Sequence, residues 1–135
     1  MHLHAFRLVP GDDLKQALLA YCTERHIAAA CIVSCVGSLQ HAIIRFADQG
    51  GGTAIHKKLE IVSLVGTLGC DACHLHIALA DDQGQVIGGH LMAGSIIYTT
   101  AEIVLGALPE LRFERELDAA TGYQELRVVA TPLQN

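Results

Sequence analysis

The sequence predicts an α+β domain, one long amphipathic helix packed on a mainly antiparallel β-sheet, and three observations predict it. Only one stretch, near the amino end, repeats its apolar residues at helical spacing. The remainder breaks into short apolar segments, each bounded by Gly, Asp or Pro. A chain of 135 residues can bury one core but not two, so residues 1–135 are read as a single domain.

Each element follows from its own pattern. Residues 2–9 (HLHAFRLV) alternate as a strand does and stop at Pro10-Gly11. Asp12 and Asp13 then supply negative charge where a helix begins, and Leu14, Ala17, Leu18, Tyr21 and Cys22 recur at i, i+3, i+4, i+7 and i+8. One apolar stripe results, suited to packing on a sheet, with His26 near the helix end. From residue 28 the period becomes that of strands: AAACIVSCVGSL (28–39), then HAIIRFA (41–47), broken by a loop at Gly50-Gly51-Gly52. KKLEIVSLVGTL (57–68), CHLHIALA (73–80), QVIGGHLMA (85–93), SIIYTTAEIVLGAL (95–108), RFEREL (112–117) and YQELRVVA (123–130) follow. The short connections suit antiparallel neighbours, and no internal repeat or low-complexity tract interrupts them.

The chemistry concentrates in residues 74–90, HLHIALADDQGQVIGGH. Side chains at i and i+2 of a strand share a face, so His74 and His76 project side by side while Leu75 points the other way. Whether His90 joins them depends on the parity of the turn. A three-residue loop, Asp82-Gln83-Gly84, pairs Asp81 with Gln85 and brings His76 opposite His90; a loop of two or four residues opposes His90 to Ile77 or Leu75. The odd loop is favoured because its last position needs a left-handed conformation and Gly84 stands there. Three neutral imidazoles on one face suit zinc and other late first-row metals, with a fourth position left for water or substrate. The competing reading is of half-buried histidines bonded to backbone. Gly88-Gly89, beside His90, marks either a bulge, which would shift the count by one, or the close approach of another backbone.

Composition narrows the function classes. Apolar residues make up 51% of the chain, yet none of the apolar runs is as long as a membrane-spanning helix requires. So much apolar surface on a small domain predicts self-association. No basic leader followed by an apolar stretch is present at the amino end, so a cytoplasmic location is expected. The five cysteines, odd in number and mostly in apolar segments, read as reduced thiols. With a net charge of −5 and scattered cations, autonomous nucleic-acid binding is not expected.

The segments VGSLQHAIIR (36–45), KLEIVSLVGTL (58–68), HLHIALADDQGQVIGGHLMAG (74–94), TAEIVL (100–105) and TGYQEL (121–126) together resemble the plants-and-prokaryotes conserved (PPC) domain in its stand-alone prokaryotic form. The resemblance runs from Arg7 to about Val129, and HLH with GGHL is its most specific part. It implies a strongly curved antiparallel sheet, a homotrimer, and a divalent metal, zinc first, on His74, His76 and His90. Plant members add AT-hook segments built around RGRP that enter the DNA minor groove; this sequence has none, and where those members show GRFEIL it reads KKLEIV (57–62). The family's architecture is similar to that of acetolactate decarboxylase, a likeness of fold that transfers no reaction.

Other residues are weighed against simpler roles. Glu102 is the candidate catalytic acid, since a metal-bound water needs a proton acceptor. A two-residue turn at Gly94-Ser95 would face it away from the histidines; one more loop residue would put Tyr98, Thr100 and Glu102 on their face. His2 and His4 form a second H-x-H without a third ligand. Cys70 and Cys73 have the spacing of half a zinc site but no second pair, and read as structural thiols. Arg7, Arg45 and Arg115 could hold an anion, though strand arginines more often pair with carboxylates or cover sheet edges. The triple glycine lacks the Lys-Ser/Thr and helix start of a phosphate loop. The expectation is a homotrimer using a three-histidine metal to bind or transform a small anionic molecule, its reaction unnamed. The competing class is a non-catalytic trimeric assembly module, including a DNA-associated regulatory one.

Overall fold

A computed structural model describes residues 1–131 and shows a β-dominated fold with one short helix. Strand β1 (His2–Leu8) precedes helix α1 (Leu14–Glu24), and strands β2 (Ala30–Arg45), β3 (Thr53–Ile55), β4 (Leu59–Leu68), β5 (Cys73–Ala80), β6 (Val86–Leu91), β7 (Ile96–Ala107), β8 (Leu111–Leu117) and β9 (Gln124–Ala130) complete the chain. The helix is 11 residues, not long. Its apolar stripe is as expected, with Leu14, Leu18 and Cys22 buried. Asp13 is its N-cap rather than a first-turn residue: one carboxylate oxygen accepts from the Gln16 N–H at 3.1 Å and the other from the Gly94 N–H at 2.6 Å. A single side chain thus satisfies a free helix donor and ties the helix to the β6–β7 turn.

Where two strand segments meet at Gln40, the structure has one 16-residue strand, β2. Shifts in its pairing with β7, between Ile32 and Ser34 and on either side of Leu39, bend this strand instead of ending it. Gly50-Gly51-Gly52 lies in the loop before β3, which folds back on β2 with Ala42 opposite Ile55. The three-residue β3 carries too few alternations to be read from sequence.

The main sheet runs β1-β7-β2-β4-β5-β6, all neighbours antiparallel, and β6 pairs again with the far end of β2 through Ile44↔Leu91 and Arg45↔His90. The sheet therefore curls until β2, β4, β5 and β6 form a closed circuit. Closure covers the end of β6 at His90 and Leu91, and Leu39, Ile44, Leu59, Leu79, Ile97 and Leu105 in the core are all essentially inaccessible. β8 and β9 form a separate two-stranded hairpin. It is fastened to the main body by the Phe113 N–H donating to the Ala28 carbonyl at 3.0 Å and by Arg115, which reaches Thr67 Oγ1 at 3.4 Å. No helix among the described residues is long and apolar enough to cross a membrane.

Candidate metal centre

The turn after β5 settles the histidine register. The Asp81 N–H donates to the Gln85 carbonyl at 3.0 Å, the Gly84 N–H donates to the Asp81 carbonyl at 3.0 Å, and Gly84 has φ +75°. The Asp81 carboxylate accepts from the backbone N–H of Gln83 and of Gln85, both at 2.9 Å, and pairs with Lys57 at 2.7 Å. These bonds, with Lys57 the largest influence, hold its carboxyl below the usual aspartate range and so keep it a charged acceptor. The loop is the odd one, and His76 stands directly opposite His90.

Gly88 and Gly89 record close approach, not a bulge: pairing from His76↔His90 to Ala80↔Val86 is unbroken. A Cβ on Gly88 would lie 2.5 Å from the Ile77 carbonyl oxygen, and one on Gly89 would lie 2.7 Å from that of Arg45. β6 is pressed between two backbones, and only glycine fits there.

On this frame the three imidazoles converge. Ring centroids are 4.9 Å apart for His74 and His76, 5.0 Å for His74 and His90, and 4.4 Å for His76 and His90. One ring nitrogen from each lies within 4.8 Å of the others, the only group of three possible ligands this close among the described residues. The Nε2 atoms of His74 and His76 are 3.1 Å apart. Two nitrogens each bound at about 2.05 Å in a tetrahedron are separated by roughly 3.3 Å, so the spacing and the all-nitrogen donor set fit a zinc-type ion with little rearrangement. Burial first, then nearby positive groups (His76 and Arg115 for His74, Arg45 for His90), lowers both imidazoles below their ordinary value. Metal ligation needs that neutral form.

A cavity of about 700 Å³ opens beside the triad, with His74 and His90 in its wall. Lys15 from α1, Arg45 from β2 and Arg115 from β8 line it, as do Tyr123, Gln124 and Glu125 from the start of β9. Arg45 and Arg115, weighed above as possible anion ligands, meet here. Arg7 does not: its Nε donates to Thr100 Oγ1 at 2.9 Å and its Nη2 to the Thr99 carbonyl at 3.1 Å. Lys15 and Glu125 escaped sequence reasoning because nothing local marks a helix lysine or a hairpin glutamate as facing β5, although TGYQEL contains Tyr123 to Glu125.

Glu102 is not brought to the histidines. Both loop lengths weighed for it assumed that β6 and β7 pair as a hairpin, whereas β6 pairs with β5 and β2, and β7 with β1 and β2. Glu102 stands opposite Arg7 and Val36, nine positions along β2 from the Arg45 that opposes His90. The acid that does line the cavity is Glu125. His4 Nδ1 lies 3.3 Å from the Tyr21 hydroxyl, a structural contact, and Cys70 Sγ donates to the Ile27 carbonyl at 3.3 Å.

Comparison with known proteins agrees with the fold. Residues 1–109 match the model of the Plants and Prokaryotes Conserved (PCC, also written PPC) domain. The bifunctional protein GlmU of a Synechococcus strain (JA-2-3B'a(2-13)) is 48% identical over 128 residues, 95% of this chain and 20% of that protein. The chain thus spans about a fifth of that relative's length. A hypothetical protein from Salmonella cholerae-suis superimposes with a TM-score of 0.94 at 39% identity, covering 96% of this chain and 94% of its own. A protein from Archaeoglobus fulgidus described as metal-containing superimposes with a TM-score of 0.80 at 31% identity, covering 94% of each chain.

Proposed function

This chain belongs to the Plants and Prokaryotes Conserved domain family, and from that premise we propose that it is a homotrimeric metal-binding protein whose three-histidine centre presents a divalent ion, zinc first, to a small anionic molecule. The observation that carries the reading is the convergence of His74, His76 and His90 within 4.8 Å. Bound there, the ion would supply Lewis acidity at one open position, as three-ligand zinc sites do. The protein's own part is to hold three imidazoles on two hydrogen-bonded strands and to line the neighbouring cavity with cations. The description of the Archaeoglobus relative as metal-containing supports the same reading. Glu102 would have to act from outside the cavity lining.

Self-association is supported by an exposed apolar sheet face. Leu3 on β1, Val33 and Val36 on β2, and Val62 and Val65 on β4 are each more than half accessible. Fully burying one such valine contributes about 1.5 kcal/mol, so several together favour contact with further copies. Val65 stands directly opposite His76, so this face borders the metal centre.

Elemental analysis of protein purified without an affinity tag tests the metal. The wild type is expected to carry close to one ion per chain, and a variant with all three histidines changed to alanine is expected to carry none while keeping its assembly. Equal metal in both proteins would end the reading. Sedimentation tests the assembly: three times the 14.4 kDa chain mass is expected, and 14.4 kDa would refute the trimer.

A further inference from the structure

Four of the chain's cations form ion pairs: Arg25 with Glu24, Lys57 with Asp81, Arg112 with Glu114, and Arg127 with Glu114 and Glu116. Lys15, Arg45 and Arg115 form none among the described residues, although acids outnumber cations by 14 to 9 in the sequence. These three come from three separate elements and line one cavity. Among the described residues the side chain of Arg45 makes only a 3.4 Å bond to the Gln49 carbonyl, and that of Arg115 only the 3.4 Å bond to Thr67 Oγ1, so much of each guanidinium is left to donate. The single acid on the lining, Glu125, already accepts a hydrogen bond from Thr121 Oγ1 at 3.0 Å.

Like charges gathered in a concave, partly dehydrated space repel one another, and an anion placed among them relieves that cost. Arginine adds directionality, since its planar fork matches a carboxylate or phosphate with two parallel bonds. The cations also stand beside the triad in strand register: Arg45 opposes His90, and Arg115 bonds to Thr67, which opposes His74.

We infer that Lys15, Arg45 and Arg115 form an anion subsite beside the three-histidine centre, so that the ligand is a small acid with two anionic groups, one directed to the histidine centre and the second to these cations. The first half of that statement rests on the metal reading; the second rests on the unpaired cations alone. The choice of ligand then resides partly in the β8–β9 hairpin, because Arg115, Tyr123 and Gln124 lie beyond residues 1–109 matched by the family model.

Calorimetric titration with succinate and with butyrate tests this, because the two share a four-carbon chain and differ by one carboxylate. Both zinc-loaded and metal-free protein are titrated at fixed ionic strength. Metal-free protein, with the cations as its one anion subsite, should bind the two acids alike, and the zinc-loaded wild type is expected to prefer succinate at least about tenfold, the equivalent of about 1.4 kcal/mol. Arg115→Gln and Arg45→Gln should each erase most of that preference, whereas Arg7→Gln should leave it intact, with circular dichroism showing that every variant is folded. Equal affinity of zinc-loaded protein for the two acids, a preference that survives in Arg115→Gln, or no heat from succinate at millimolar concentration would each overturn the subsite. A protein that takes up no zinc yet binds both acids in an Arg115-dependent way would refute the metal reading and leave the subsite standing. Zinc uptake without any preference would do the reverse.

Discussion

Replacing Gly89 by alanine tests whether the metal centre depends on how closely β6 is pressed against β2. The added Cβ would sit 2.7 Å from the Arg45 carbonyl oxygen and 2.8 Å from Ile44 Cγ2. The isoleucine methyl can rotate aside, but the carbonyl belongs to the strand that closes the sheet. Restoring an ordinary contact of about 3.4 Å requires β6 to withdraw by roughly 0.7 Å, and overpacking of this kind costs about 1–3 kcal/mol of stability. The same displacement is carried to His90, the next residue. Metal–ligand distances tolerate only about 0.2 Å, so His90 leaves the coordination sphere or binds strained, and zinc affinity should fall by about a hundredfold or more. Gly84→Ala is the control: its Cβ meets nothing within 4 Å, so only the left-handed backbone penalty of about 1 kcal/mol applies and zinc affinity should hold. Competition titration against a zinc chelator, beside thermal melts, separates the two effects. Wild-type zinc affinity in a folded Gly89→Ala protein would refute the argument that backbone clearance positions His90.

Three further outcomes follow from the same geometry. Since the folded protein lowers His74 and His90 below the unfolded value of about 6.5, their contribution to stability is present above that pH and is lost as pH falls and the unfolded chain takes up protons first. The thermal midpoint of the metal-free protein should therefore decline from about pH 7 to about pH 5, less steeply in His74→Ala/His90→Ala, and equal slopes would contradict the assignment. In the same range protons compete with metal, so zinc affinity should drop about tenfold per pH unit for each ligand titrated, as measured by chelator competition in a pH series. Leu105→Ala removes a fully buried side chain far from the triad and should cost about 2–5 kcal/mol in denaturant unfolding with little change in zinc affinity per folded molecule.

Much of the centre was legible before any coordinates. The alternation of His74 and His76 about Leu75, and the one left-handed position that Gly84 suits, are local facts, and they brought His90 opposite His76. The helix stripe was legible for the same reason, but 'long' overstated it: the stripe ends at Cys22 and the helix stops two residues later, at Glu24. Glu102 was not legible, because its position depends on which strands β6 and β7 choose. Adjacent in sequence, they do not pair with each other.

The sequence by itself determined the order and period of nearly every element, and it favoured the odd histidine turn and singled out the three histidines, because each depends on neighbours a few residues apart. Only the tertiary structure decided that β6 returns to the far end of β2, that Arg115 crosses from a separate hairpin to Thr67, and that three cations line one cavity with His74 and His90. Those placements join residues up to 100 positions apart. Such pairings are selected by which closure buries the apolar faces and satisfies the strand edges together, a property of the whole chain that none of its segments carries alone.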